Sequence, residues 1–169
     1  MQSEKFEFTN ADGDILAGKL DLPVDQHPHN FVLFAHCFTC NKNFNAVRNI
    51  SRALTNEGFG VLRFDFTGLG ESEGDFEDTN FSSNVEDLIL AAQQLEEKFS
   101  APSVLVGHSL GGAAVIRAAC ELPAVKAVAT IGAPFDPSHV SHLFGEGIEI
   151  IEKEGIANVQ IAGRPFTVK

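Results

Sequence analysis

The sequence contains no tryptophan and no tyrosine, so phenylalanine alone supplies its 15 aromatic residues. Basic residues are also scarce: 12 Lys and Arg stand against 23 Asp and Glu, which gives a net charge of −11. This excess of negative charge disfavours binding to nucleic acids and to anionic membrane surfaces, because both are themselves negatively charged. The sequence also lacks an apolar run long enough to cross a bilayer, so we expect no membrane partner.

Three further features bear on location and size. Residues 1–5 do not form a basic stretch followed by an apolar one, so we expect no signal peptide. The three cysteines are an odd number, which favours a reducing, cytoplasmic location over a disulfide framework. A length of 169 residues with 44% hydrophobic residues suits one compact domain with a sizeable core.

The motif with the most chemical content lies at residues 103–112. An apolar stretch predicts a strand that runs into Gly107-His108-Ser109-Leu110-Gly111, and small residues after it predict a helix. This is the G-x-S-x-G pattern of a nucleophile elbow, where a sharp turn leaves no room for side chains beside the serine. It predicts that Ser109 projects at a helix N-terminus, where the Leu110 N–H can face negative charge. The alternative is a glycine-rich turn with an inert serine.

Apolar segments that alternate with helical patterns predict the fold class. Phe6 and Phe8 alternate with polar residues, and a turn signal follows them, as in an N-terminal hairpin. Ser83 and Glu86 predict a capping box at the start of the second helix. We expect an α/β fold with a mostly parallel sheet, helices on both faces and an antiparallel N-terminal edge. Residues 1–135 would form the core and residues 136–169 a cap- or lid-like segment, whose tail would be a small hairpin or an extended arm.

With the elbow placed between a strand and a helix, the chain resembles the α/β-hydrolase superfamily of serine hydrolases. The resemblance also rests on the loop from His36 after the third strand and on the segment at 65–72, which matches the pattern D-x-x-G-x-G-x-S. Residues 36–42 are most similar to the hydrolase portion of bacterial proteins that fuse such a domain to an OsmC-type domain. The resemblance therefore implies a C-terminal OsmC-type domain in the full-length protein.

The resemblance also implies roles for individual residues. Ser109 would be the nucleophile, and the backbone N–H groups of Phe38 and Leu110 would form the oxyanion hole. His36 would brace the loop that carries Phe38. The polar side chains of the segment at 65–72 would hold that segment by hydrogen bonds and take no part in the chemistry.

The chain departs from the family pattern in two places. Cys37 stands where the family usually has glycine, and the sequence ends after the sixth strand and the cap-like segment. The family places its acid after the seventh strand and its base after the eighth, so we expect a truncated chain that is weakly active or inactive alone. Within the chain, Asp136 is the candidate acid, with a cap-entry turn as the alternative interpretation, and His139 or His142 is the candidate base.

These patterns predict a serine hydrolase that cleaves small ester, thioester or amide bonds through an acyl-enzyme, without cofactor or metal. The first alternative is an incomplete hydrolase fragment or binding module that lacks the triad acid and histidine. The second is thiol redox activity through Cys37 and Cys40, whose C-x-x-C spacing loosely precedes a predicted helix. Two unbonded thiols beside the oxyanion loop are the competing interpretation of that pair. Cys120 lies far along the chain, so a four-ligand zinc site is not expected.

Overall fold

The computed structural model describes residues 1–136, 147–161 and 164–169. In chain order the elements of these residues are β1 (Gln2–Thr9), β2 (Ile15–Leu22), β3 (Asn30–Ala35), α1 (Asn45–Asn56), β4 (Phe59–Phe64), a 3-10 turn (Phe76–Asp78), α2 (Phe81–Lys98), β5 (Val104–His108), α3 (Leu110–Ala119), β6 (Ala127–Ile131), α4 (Gly147–Glu154), β7 (Ala157–Ile161) and β8 (Arg164–Val168).

The main sheet has the strand order β1-β2-β4-β3-β5-β6. Strands β4, β3, β5 and β6 run parallel to one another, whereas β1 and β2 form an antiparallel hairpin, and β2 is also antiparallel to β4. The sequence prediction of a mostly parallel sheet with an antiparallel N-terminal edge is therefore confirmed. At the other edge, β6 is exposed along its length, with Val128 at 39% and Ile131 at 42% exposure.

Helices cover both faces of this sheet. On one face α1 packs through Val47 against the buried residues Val32 and Val61 of β3 and β4. On the other face α2 and α3 contribute Leu88 and Val115 to the larger core cluster. Strand β3 lies between these two layers, and all its residues from Phe31 to Ala35 are buried, as the continuous apolar run requires.

The start of α2 differs from the sequence prediction. Asn80 is the N-cap, and its side chain accepts hydrogen bonds from the backbone N–H groups of Ser82 and Ser83 at 2.8 and 3.1 Å. The Ser83 hydroxyl in turn accepts from the Asn80 backbone N–H at 2.9 Å. This is a capping box one turn earlier than the predicted Ser83–Glu86 box, because asparagine satisfies the free N–H groups as well as serine does.

The C-terminal segment contains α4 and the predicted small hairpin, which β7 and β8 form as a separate two-stranded sheet. The hairpin reaches the body of the domain through Phe166, whose ring lies 5.0 Å from the Phe76 ring and 6.5 Å from the Phe38 ring. Nearby, the Lys169 ammonium forms an ion pair with Asp78 at 2.6 Å. Among the described residues, no helix is both long and apolar enough for a membrane span.

Candidate active site

The elbow at Ser109 has the geometry that its sequence predicts. Ser109 joins β5 to α3 with φ 55° and ψ −126°, a conformation that non-glycine residues rarely adopt. Strain of this kind costs about 1–3 kcal/mol and persists only where the surroundings enforce it. Here the Ser109 backbone N–H donates to the carbonyl of Ile131 in β6 at 2.9 Å, and the Ser109 carbonyl accepts from Gly112 at 2.8 Å.

The glycines around Ser109 are required by close backbone contacts. A Cβ on Gly107 would lie 2.4 Å from the carbonyl oxygen of Gly111, and a Cβ on Gly111 would lie 2.3 Å from that of His36. A Cβ on Gly112 would meet the side chain of Ala133 at 2.7 Å. The turn is therefore packed against both the loop after β3 and the segment after β6, and this packing holds Ser109 in its strained conformation.

Phe38 and Leu110, the two predicted oxyanion-hole residues, line one small cavity. Phe38 belongs to the loop after β3, and Leu110 is the first residue of α3. These strands are neighbours, with Ala35 paired to Gly107, so both segments leave the same edge of the sheet. The cavity measures about 10 Å³, which is enough for a single water molecule and too small for an acyl chain.

His36 is buried at the base of this loop. Its Nδ1–H donates to the carbonyl of Cys37 at 2.7 Å, so the side chain braces the loop as the resemblance implied. Burial lowers the pKa of His36, because a charged imidazolium would lose its hydration there. Its Nε2 lies 3.8 Å from the Asp65 carboxylate and has no hydrogen-bond partner among the residues that the structure describes.

Asp65 organises the loop after β4. Its carboxylate accepts from the backbone N–H groups of Lys42 at 2.5 Å and Glu71 at 2.9 Å, and forms an ion pair with the Lys42 ammonium at 2.5 Å. Its backbone carbonyl accepts from the Ser72 hydroxyl at 2.5 Å. Both acidic side chains that Lys42 contacts, Asp65 and Glu71, lie 2.5 Å away, although only Asp65 is buried. Asp65 and Ser72 therefore hold the loop, as predicted.

A second buried ion pair extends this network. The Arg63 guanidinium donates to both carboxylate oxygens of Asp21, at 2.7 and 3.3 Å, and to the Lys42 carbonyl at 2.6 Å. Burial alone would raise the pKa of Asp21, but hydrogen bonds from Arg63, Ser3 and Ser51 outweigh burial and lower that pKa. No local sequence pattern marks Lys42 or Arg63 as a buried cation, so neither was predicted from the sequence.

A second cavity, with a volume of about 260 Å³, lies beside the loop after β4. No residue of the elbow lines it. Asp87 lines it, only 3% exposed, and accepts hydrogen bonds from the Thr67 backbone N–H at 3.0 Å and the Thr67 hydroxyl at 2.9 Å. Burial raises the pKa of Asp87 to about 6, and the hydrogen bonds from Thr67 only partly oppose this.

The cysteine pair differs from the favoured sequence interpretation. Cys37 and Cys40 form a disulfide with their Cα atoms 5.1 Å apart, rather than two unbonded thiols, because the tight loop brings their side chains together. Helix α1 begins only at Asn45, so the pair does not lie at a helix N-terminus that would lower a thiol pKa. The redox alternative therefore stays a prediction.

The structure does not test the roles of the candidate acid and bases. Asp136 is exposed, in the segment after the end of β6 at Ile131. His139 and His142 lie outside the described residues. The structure thus brings together the predicted nucleophile and oxyanion-hole segments, and leaves the acid and base as predictions.

A family model described as serine aminopeptidase, S33 (Hydrolase_4), matches residues 26–156, which is most of the chain. The chain belongs to this family of α/β hydrolases. The match includes the elbow, the loop after β3 and the loop after β4, so the resemblance inferred from these three segments is confirmed.

Individual relatives agree with this assignment. The crystal structure of the esterase domain of a Rhodothermus marinus protein is 49% identical, with a TM-score of 0.75, and the match covers 100% of this chain and 65% of that one. The structure of Est1E from Butyrivibrio proteoclasticus with ferulic acid is 28% identical, with a TM-score of 0.65, over 73% of this chain and 50% of that one. The bovine mitochondrial palmitoyl-protein thioesterase ABHD10 is 31% identical over 101 residues, 60% of this chain and 32% of that protein. The matched region thus spans between 23% and 33% of the length of the curated relatives.

Proposed function

We propose that this protein hydrolyses small carboxylic esters or thioesters, and related amides, through an acyl-enzyme on Ser109. The observation that carries the proposal is the strained backbone of Ser109 at the strand-to-helix elbow, with φ at 55°. Strained residues cluster at active sites and ligand-binding positions, where the surrounding structure enforces their conformation. The 49% identical Rhodothermus marinus esterase domain and the bovine palmitoyl-protein thioesterase support the substrate class.

The proposed reaction begins with attack of the Ser109 hydroxyl oxygen on the substrate carbonyl carbon. A base takes the hydroxyl proton, and the carbonyl oxygen becomes an oxyanion that accepts hydrogen bonds from the backbone N–H groups of Phe38 and Leu110. Each such donor contributes roughly 3 kcal/mol in comparable sites. Collapse of this intermediate expels the alcohol, thiol or amine and leaves an acyl-Ser109 ester, which water then hydrolyses.

The base and acid are the untested half of the proposal. His139 and His142 are the candidate bases within this chain, and Asp136 is the candidate acid. The alternative is that this chain supplies the nucleophile and oxyanion hole, while the base belongs to another part of the whole protein. The two versions differ in whether the histidines of this chain affect the reactivity of Ser109.

A fluorophosphonate probe tests the proposal directly, because it reacts only with an activated serine. We expect wild type to be labelled, Ser109→Ala to lose all labelling, and Ser82→Ala, which changes an exposed serine at the start of α2, to label like wild type. Equal labelling of Ser109→Ala and wild type would contradict the proposal. The absence of labelling in a wild-type chain that circular dichroism shows to be folded would contradict the version in which this chain supplies the base.

The same assay separates the two versions of the base. If His139 or His142 is the base, its alanine variant should label at least about a hundredfold more slowly than His27→Ala, a change at an exposed histidine. Turnover of acetate esters, acyl thioesters and aminoacyl anilides by the wild-type enzyme, without probe, then ranks the three substrate classes.

A further inference from the structure

Three side chains with metal-binding atoms meet where the loop after β3 faces the end of β5. The sulfur atoms of Cys37 and Cys40 and a ring nitrogen of His108 all lie within 4.8 Å of one another. All three residues are partly exposed, so reagents and ions in solution reach them. The reaction proposed for Ser109 uses none of these three side chains, which leaves the cluster without a role.

The chemistry of these ligands selects zinc. Thiolate and imidazole groups bind Zn²⁺ with bond lengths of about 2.3 Å to sulfur and about 2.0 Å to nitrogen, usually in a tetrahedron. A tetrahedron of this size needs ligand atoms about 3.5–3.8 Å apart. In the structure the two sulfur atoms are bonded to each other, so reduction must first let them separate to that spacing, while the His108 ring nitrogen already lies within 4.8 Å of both. Two residues separate Cys37 from Cys40, as in many zinc-binding cysteine pairs.

We propose that the reduced form of this cluster binds one zinc ion through Cys37, Cys40 and His108, and that the disulfide and the zinc complex exclude each other. A small-molecule dithiol reduces the disulfide by giving up two electrons and two protons, and becomes a disulfide itself. Zn²⁺ then displaces one proton from each cysteine thiol and forms two Zn–S bonds and one Zn–N bond. The fourth position of the tetrahedron stays with water.

The exclusion follows from the electrons on sulfur. In the disulfide the two sulfur atoms are bonded to each other and carry no negative charge, so neither is the thiolate that zinc requires. In the reducing cytoplasm that the sequence predicts, the dithiol is the form that would meet the metal. The zinc ion would then tie the loop after β3 to the last residue of β5, directly before Ser109.

Zinc titration against a chromophoric chelator tests this site without any measurement of activity. The chain carries Cys120→Ser, which removes the exposed third cysteine, and is reduced with a phosphine that is then removed without oxygen. We expect one zinc per chain in the reduced protein and none in the oxidised protein. His108→Ala should weaken binding by at least about tenfold, and Cys37→Ser should abolish it, whereas His27→Ala should bind like the parent.

Cobalt substitution guards against variants that fold poorly. Co²⁺ in the reduced parent should give a thiolate-to-cobalt charge-transfer band, which disappears in Cys37→Ser and in the oxidised chain. The proposal is overturned if the reduced parent takes no zinc from the chelator, or if His108→Ala and His27→Ala bind equally well. A chain that fails to react with fluorophosphonate would count against the proposed hydrolase function and leave the zinc titration valid.

Discussion

The loop after β4 and the turn after β5 leave the same edge of the sheet, yet different forces hold them in place. In the loop after β4, the Asp65 carboxylate collects the Lys42 ammonium and two backbone N–H groups within 2.9 Å. In the turn after β5, glycines let backbone touch backbone around a strained Ser109. The first region depends on charge and hydrogen bonds and the second on shape, so they should respond to different substitutions.

The largest effect should follow from Lys42→Met. Methionine keeps most of the side-chain volume and removes the ammonium, which leaves the buried Asp65 carboxylate without its counter-ion. Breaking a buried ion pair from one side costs about 3–5 kcal/mol. Urea unfolding should show a loss of that size in the free energy of unfolding. A variant as stable as wild type would mean that the backbone N–H groups alone satisfy Asp65.

A pH-dependent effect should come from Asp87, which holds Thr67 in the same loop. Its folded-state pKa of about 6 exceeds the unfolded value, so the folded state binds the proton more tightly between about pH 4 and 6. The stability that this adds is present at low pH and is lost as pH rises through 6. Asp87→Asn removes the titration.

The free energy of unfolding of wild type, minus that of Asp87→Asn, should therefore fall by about 2–3 kcal/mol from pH 4 to pH 7. Urea unfolding of both proteins across this range measures the difference. Carbon NMR of the Asp87 carboxyl should place its titration near pH 6. A difference that is flat or rises with pH would contradict the prediction.

In the turn after β5, Gly111→Ala should lower the free energy of unfolding by about 1–3 kcal/mol, as overpacking of a core does. The added methyl would lie 2.3 Å from the His36 carbonyl oxygen, so the loop after β3 or the turn must move. Fluorophosphonate labelling of Ser109 should fall together with the melting temperature. Gly132→Asn is the matched control, because Gly132 has φ +59°, which asparagine tolerates, and a Cβ there would meet no atom of the described residues within 4 Å. Equal effects at both glycines would refute the role of close packing.

The smallest effect should come from Glu71→Gln, which removes the other ion pair of Lys42. Glu71 is 67% exposed on its side chain, so solvent screens its attraction to the ammonium. We expect a change in the free energy of unfolding of less than about 1 kcal/mol, and less still in high salt. A loss comparable to that of Lys42→Met would show that burial of one partner is enough to make an ion pair strong.

The same contrast explains what the sequence could predict. The elbow, the order of strands and helices, and the hairpin of β7 and β8 each depend on patterns within a few neighbouring residues. The pairing of Lys42 with Asp65 and of Arg63 with Asp21 joins positions 23 and 42 residues apart, so only the assembled sheet shows it. The disulfide of Cys37 and Cys40 depends on the path of one loop, which composition does not determine.

Other expectations stay predictions. They are the division into a core and a cap, the OsmC-type partner domain, the cytoplasmic location, and the roles of His139 and His142. Sequence patterns could suggest these features, because family order and composition carry information about them. The elbow needed no such support, since its turn residues and its flanking elements are adjacent in the chain.

During synthesis, the central strand β3 is made long before its second neighbour in the sheet. Strand β3 pairs with β4, which follows closely, but its other neighbour is β5, and Val32 meets Val104 roughly 70 residues later. At about 5–20 residues per second, a ribosome would leave that apolar edge open for several seconds. During this interval the segment Phe31–Ala35 is a surface that chaperones and other nascent chains can bind. The strand that leads into the predicted oxyanion loop is thus also a strand whose free edge needs shielding from other chains until β5 has been made.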